Sequence, residues 1–206
     1  MSNLSEIALD YNRIIRRLQP NNLNGELIVK AAKPKNYTDY QPVLFDATAG
    51  LGEDSLLLAA SGFRVVMYER NPAIAEALRN RFSKLKDLAE SNENAELLKI
   101  LSHMDMIEGD SSKLMSTNAV RPNVILLDPM FPKRNKSGLV KKKFQVIHEM
   151  EEPCSDEDAE KLLNSALGCF PDKIIIKRPA KASALAGRKP SYSISGPGIR
   201  YDCIVL

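Results

Sequence analysis

The sequence predicts an α/β protein built on a mostly parallel sheet with helices on both faces. Two observations carry that prediction. Strand-like and helical runs alternate from Pro42 onward, and the chain closes on two strand-like runs about a Gly-Pro-Gly turn. Alternation demands crossover helices over a parallel sheet, and a closing hairpin adds antiparallel strands at one edge. At 206 residues, 44% of them hydrophobic, the chain can bury one full core.

The elements follow in order. Ile7, Ile14, Ile15 and Leu18 are spaced for a short amphipathic helix, which Pro20 and "PNNLNG" stop. Residues 1–40 are expected to form an N-terminal extension, and residues 41–206 the main domain. "PVLFDA" is the first strand, running into Asp46 and a Gly-bearing turn. "EDSLLLAASG" is a helix ended by Gly62, and "FRVVMYE" a second strand. "NPAIAEALRNRFSKLKDLAE" is a helix with Asn71 as N-cap and Pro72 at its first position. "NENAELLKILSH" is helix and linker, "DMIEGD" a short strand and "NVILLD" a central one. "DEDAEKLLNSALGCF" is a helix whose start Asp156, Glu157 and Asp158 favour. "DKIIIKRP" is the fifth strand, and "SYSISGPGIRYDCIVL" the hairpin.

Composition excludes several classes. The three scattered cysteines form no Cys-x-x-Cys pair, which speaks for a reducing compartment and against a disulfide framework or zinc ribbon. The N-terminus carries Glu6 and Asp10 and no apolar signal core, and no apolar run approaches the roughly 20 residues of a membrane helix, so a cytoplasmic protein without a membrane partner is expected. His103 and His148 stand alone and are given no metal or catalytic role. A net charge of +3 says little by itself; the position of the cations matters more.

In open α/β sheets ligands sit beyond the carboxyl ends of the strands. "DATAGLGEDS" occupies that place after the first strand. Gly50 and Gly52 permit a tight turn and close backbone approach. Glu69 ends the next strand, where an acid accepts hydrogen bonds from ribose hydroxyls. A dinucleotide fingerprint would need a third glycine where Ser55 stands. Glu53 and Asp54 suit a helix N-terminus but repel a pyrophosphate. These residues favour a cationic or zwitterionic adenosine ligand such as S-adenosylmethionine over NAD.

"NVILLDPMF" places Asp128 at the same edge. Pro129 withholds a backbone donor, so the turn offers the Asp128 carboxylate and nearby carbonyls as acceptors, with Phe131 as a flat apolar face. Acceptors beside a ring fit a planar base with an exocyclic amine.

"VLFDATAGLGEDSLLLAASGFRVVMYERNP" and "VILLDPMFPKRNKSGLVKKK" resemble the class I S-adenosylmethionine-dependent methyltransferases, most of all the RsmJ family, which methylates a guanine N2 in small-subunit (16S) ribosomal RNA. The resemblance runs from about Gly25 to the C-terminus. It implies a Rossmann-like, seven-stranded sheet, S-adenosylmethionine as donor with S-adenosylhomocysteine as product, and ribosomal RNA or the small subunit as partner. It implies cofactor contacts from Glu53, Asp54, Glu69, Arg70, Asp110, Ser111 and Asp128, beside Asp46, Gly50 and Gly52 of the loop. It gives Asp128, Pro129 and Phe131 the catalytic role of holding the base. The chain departs from the family at Glu53, where Arg is commoner, and at Asp110, where Ser is commoner. No metal is called for, because a sulfonium is already a good leaving group.

Lys133, Arg134, Lys136, Lys141, Lys142 and Lys143 follow the acceptor turn, and Lys177, Arg178, Lys181, Arg188 and Lys189 lie in or after the fifth strand. Flanking one site, they suit RNA phosphates. Asp-Pro-x-Phe suits any planar amine, so adenine N6 in RNA or DNA stays open, as does an RNA-binding module without activity.

Overall fold

The computed structural model describes residues 10–33, 40–130 and 153–206. Three helices come first: α1 (Tyr11–Leu18), α2 (Pro20–Leu23) and α3 (Leu27–Ala32). The sheet among the described residues has seven strands: β1 (Val43–Asp46), β2 (Arg64–Glu69), β3 (Met104–Glu108), β4 (Val124–Leu127), β5 (Lys173–Pro179), β6 (Tyr192–Ser195) and β7 (Ile199–Val205). Their order is β3-β2-β1-β4-β5-β7-β6. The first five are parallel, and β7 runs antiparallel between β5 and β6. Strand order reverses between β1 and β4, which opens a crevice at their carboxyl ends.

Helices α4 (Glu53–Ala60), α5 (Pro72–Ser91), α6 (Ala95–Ser102), α7 (Ser111–Leu114) and α8 (Asp156–Gly168) complete the two outer layers. Their starts obey local chemistry. Asn71 caps α5 by accepting from the Ala73 and Ile74 amides, with Pro72 at its first position, and Ser155 caps α8 by accepting from Asp158 N.

The central strands β1, β2 and β4 and the middle of β5 are apolar runs because successive residues feed opposite cores. Leu44, Val65, Met67, Leu126 and Ile175 join Ile28, Ala31, Leu57 and Leu58 on one face. Phe45, Val66, Tyr68, Ile125, Ile174 and Ile176 join Ala159, Leu163 and Ala166 of α8 on the other.

The N-terminal part differs from the expectation. Helix α1 stops at Leu18 as expected, but Pro20 at once opens a further short helix, α2, since a proline at the first position gives up an amide that has no partner anyway. Helix α3 was not legible in the sequence: six residues are too few to show a period. It buries Ile28, Val29, Ala31 and Ala32. The buried Lys173 ammonium donates to the Ala31 and Lys33 carbonyls at 3.0 and 3.1 Å, which satisfies the end of that helix. The third strand also ends two residues earlier than expected. Gly109 turns the chain at φ +143°, and Asp110 becomes the N-cap of α7. Among the described residues no helix is long and apolar enough to cross a membrane.

Candidate active site

The loop after β1 is shaped by two glycines with different duties. Both have positive φ, +55° at Gly50 and +71° at Gly52, a region that L side chains rarely enter. A Cβ on Gly50 would meet nothing within 4 Å, so this backbone faces open space. A Cβ on Gly52 would stand 2.7 Å from the Phe82 ring and 2.8 Å from Leu78, so Gly52 lets α5 pack close to the loop. Glu69 fixes the loop from the end of β2. One carboxylate oxygen accepts from Gly50 N at 2.9 Å, and the other from Asn71 N at 2.8 Å. The side chain is buried at the floor of the loop, and a carboxylate offers acceptor sites on both oxygens.

Below the loop lies Asp46. It accepts from the Ser55 hydroxyl and from Thr48 N. Burial pushes its pKa up to about 7, against the pull of those two bonds. Asp46 therefore braces the loop from beneath as well as bordering the cleft. Ser55, the residue that breaks the dinucleotide fingerprint, is its hydrogen-bond donor.

The acceptor turn is tied to the same loop. Asp128 N donates to Thr48 Oγ1 at 2.7 Å, which sets the distance between the two halves of the cleft. Lys177 of β5 then crosses between them, donating at 2.8 Å to both Asp54 and Asp128. Burial opposes that positive charge, but Asp128 and Asp54 outweigh it and hold the ammonium pKa above its ordinary value. Asp110, the N-cap of α7, accepts from Ser112 N and its hydroxyl. Burial works against its charge, and the Ser112 bonds with Lys113 and Lys161 lower its pKa nonetheless.

One cleft gathers these groups. Asp46, Gly50, Glu53, Asp54, Glu69, Arg70, Asp110, Ser111, Asp128, Pro129 and Lys177 all border it, whereas Gly52 does not. Phe131, Lys133, Arg134, Lys136, Lys141, Lys142, Lys143 and His148 lie outside the described residues. Lys177 stands in the wall of the cleft, not on its outer rim. Arg178 points to the opposite face of the sheet, where it is buried and donates to the Ser183 carbonyl. Neighbouring strand residues face opposite ways, and β5 extends past both. Lys181, Arg188 and Lys189 are exposed.

Sequence reasoning missed Thr48, Ser55, Leu51, Met130 and Leu162. Leu51, Met130 and Leu162 give the cleft its apolar surface. The only signal for Thr48 and Ser55 was their place inside "DATAGLGEDS". The donor and acceptor set fits S-adenosylmethionine. Glu69 can accept from a ribose, Asp110 from an adenine amine, and apolar Leu51 and Leu162 can flank a ring. Even with Lys177 paired to Asp54 and Asp128, carboxylates outnumber cations around the cleft, which suits a cationic ligand.

The sequence profile of a SAM-dependent methyltransferase family matches residues 2–206. Two curated proteins, both named ribosomal RNA small subunit methyltransferase J, are similar. That of Thioalkalivibrio sulfidiphilus is 37% identical over 185 residues, 89% of this chain and 69% of its own. That of Cellvibrio japonicus is 38% identical over 180 residues, 86% and 66% respectively. The crystal structure of a SAM-dependent methyltransferase from Neisseria gonorrhoeae matches with a TM-score of 0.60 at 26% identity, over 80% of this chain and 65% of that one. The chain spans about two thirds of the length of the curated relatives it matches.

Proposed function

Because the chain belongs to the SAM-dependent methyltransferase family, together with the ribosomal RNA small subunit methyltransferase J proteins, we propose that it methylates ribosomal RNA at a guanine N2 of the small subunit. Residues 41–206 serve as the methyltransferase domain, residues 1–40 as its extension, and the cytoplasm as the place of work. One observation supports this reading above the others: the glycine loop and the Asp128 turn border one cleft and are joined by the bond from Asp128 N to Thr48 Oγ1.

S-adenosylmethionine, when bound, supplies an electrophilic methyl group on a sulfonium. The protein supplies position. Glu69, Glu53 and Asp54 orient the donor beside Gly50, with Arg70, Asp110 and Ser111 along the adenosine. Asp128 and the Pro129 carbonyl accept hydrogen bonds from the guanine amine, which turns the nitrogen lone pair toward the methyl group, and Phe131 stacks on the base. Alignment of two held reactants is the main source of rate. The amine is neutral when it attacks. Its proton leaves afterwards, when methylated nitrogen carries positive charge and is far more acidic, so no strong base is required. Lys133, Arg134, Lys136, Lys141, Lys142 and Lys143 contact phosphates.

The test is transfer of labelled methyl from S-adenosylmethionine to small-subunit RNA lacking the modification, followed by digestion and identification of the modified nucleoside. N2-methylguanosine is expected, with a loss of about 100-fold or more for Asp128→Ala. Label on adenine N6 would reassign the base. No transfer to any RNA, with S-adenosylhomocysteine still bound, would overturn the enzymatic reading.

A further inference from the structure

Lys177 was expected on an outer surface, among cations that meet RNA. Its surroundings argue for a different duty. In β5 the side chains of Lys173, Ile175 and Lys177 point to one face of the sheet, and those of Ile174, Ile176 and Arg178 to the other. The first face is the one covered by α3 and α4. Lys173 is spent there on the end of α3. Lys177 lies four residues further along and reaches the first turn of α4 and the end of β4 together.

The geometry is specific. Leu127 pairs with Ile176, so Asp128 and Lys177 come next on adjacent strands. The Lys177 ammonium donates one bond of 2.8 Å to Asp54 and another of 2.8 Å to Asp128. Its side chain is only 23% exposed. A lysine that meets RNA phosphate keeps its ammonium in water and its donors unspent; this one has two of three donors committed to carboxylates in the cleft wall. Asp54 borders the donor half of the cleft, and Asp128 the acceptor half.

We propose that Lys177 is a positioning residue for methyl transfer: by bonding both carboxylates it fixes the angle of Asp128 toward the target amine and ties the acceptor turn to α4. This rests on the function proposed above and names a part of the same site. The ammonium touches neither reacting atom. It acts through Asp128, whose freedom to swing is removed by a partner anchored in a central strand. It also sets the charge of the wall. Two carboxylates sharing one ammonium attract a cationic ligand less than the same pair without it.

Lys177→Met and Lys177→Arg in the full chain test this. For Lys177→Met, kcat for methyl transfer is expected to fall by about 10–100-fold while KM for RNA changes less than about three-fold. Lys177→Arg, which retains the charge and reaches both acids, is expected to recover most of kcat. Binding supplies an independent readout: in Lys177→Met the affinity for S-adenosylmethionine relative to S-adenosylhomocysteine, which lacks the sulfonium charge, rises several-fold, because one positive charge has left the wall. A misfolded variant would lose both ligands alike, and this outcome with Lys177→Arg equally inactive overturns the proposal. So does a loss confined to RNA affinity with a shallower salt dependence, which would make Lys177 a phosphate contact. If wild-type protein transfers no methyl group, the functional reading itself fails and the proposal falls with it.

Discussion

Glu69 holds Gly50: one carboxylate oxygen at the end of β2 accepts the backbone N–H of the glycine loop at 2.9 Å, and its other oxygen accepts Asn71 N at 2.8 Å. A single buried acid thereby shapes the loop and opens helix α5. Glu69→Gln preserves the volume but turns an N–H toward one of two backbone donors. Such a mismatch costs about 1–3 kcal/mol. Titration calorimetry is expected to show S-adenosylhomocysteine affinity lowered about 10–100-fold, and unchanged affinity would remove Glu69 from the site.

The two glycines should separate stability from binding. Gly52→Ala forces a Cβ against Phe82 and Leu78 at positive φ, and its melting temperature should drop by roughly 5–10 °C. Gly50→Ala meets no atom, so its melting temperature should fall less, while its new methyl group stands in the open space of the cleft and weakens the ligand. A reversed ranking in thermal melts would contradict the packing described.

Asp46 has a pKa pushed up to about 7 by burial. The unfolded chain releases that proton near pH 4. A raised pKa means that the protonated form suits the folded state: the associated stability is complete below pH 4 and is lost as pH rises toward 7. Over that window the loss is roughly 4 kcal/mol. Asp46→Asn keeps an acceptor for Ser55 and has no proton to lose. The variant's stability relative to wild type should therefore improve between pH 4 and 7, measured by denaturant unfolding at both ends. A constant difference would show that Asp46 does not titrate there.

Lys173→Met strips two carbonyls at the end of α3 of their donor. Orphaned groups of this kind cost about 2 kcal/mol or more. Hydrogen exchange should quicken in residues 27–33 before it does in the central strands, whereas uniform quickening would mean that α3 does not open separately.

Much of this was legible in the sequence because it depends on near neighbours. Asn71 followed by Pro72 announces a helix start, Gly196-Pro197-Gly198 a hairpin, and apolar runs ending in Asp46, Glu69 and Asp128 the strand ends that border the cleft. What stayed hidden depends on distant partners. Leu27–Ala32 is too short to show a helical period, and its identity comes from the sheet beneath it and from Lys173, over 140 residues away in sequence. Lys177 looked like one more cation in a basic stretch. Its acids, Asp54 and Asp128, lie 123 and 49 residues away, and only the sheet brings the three together.

Strand β7 is wedged between β5 and β6, so its backbone is paired along both sides. On a ribosome the chain emerges from its N-terminus, and β5 must wait with one edge open until residues 199–205 arrive. Until then that edge offers unpaired amides and carbonyls to any other strand. Completion of the sheet is therefore deferred until β7 has been made, and the hairpin about Gly196-Pro197-Gly198 becomes the step that ends the exposure. A nascent chain halted shortly before Ile199 should engage chaperones, and one extended past Val205 and clear of the exit tunnel should not.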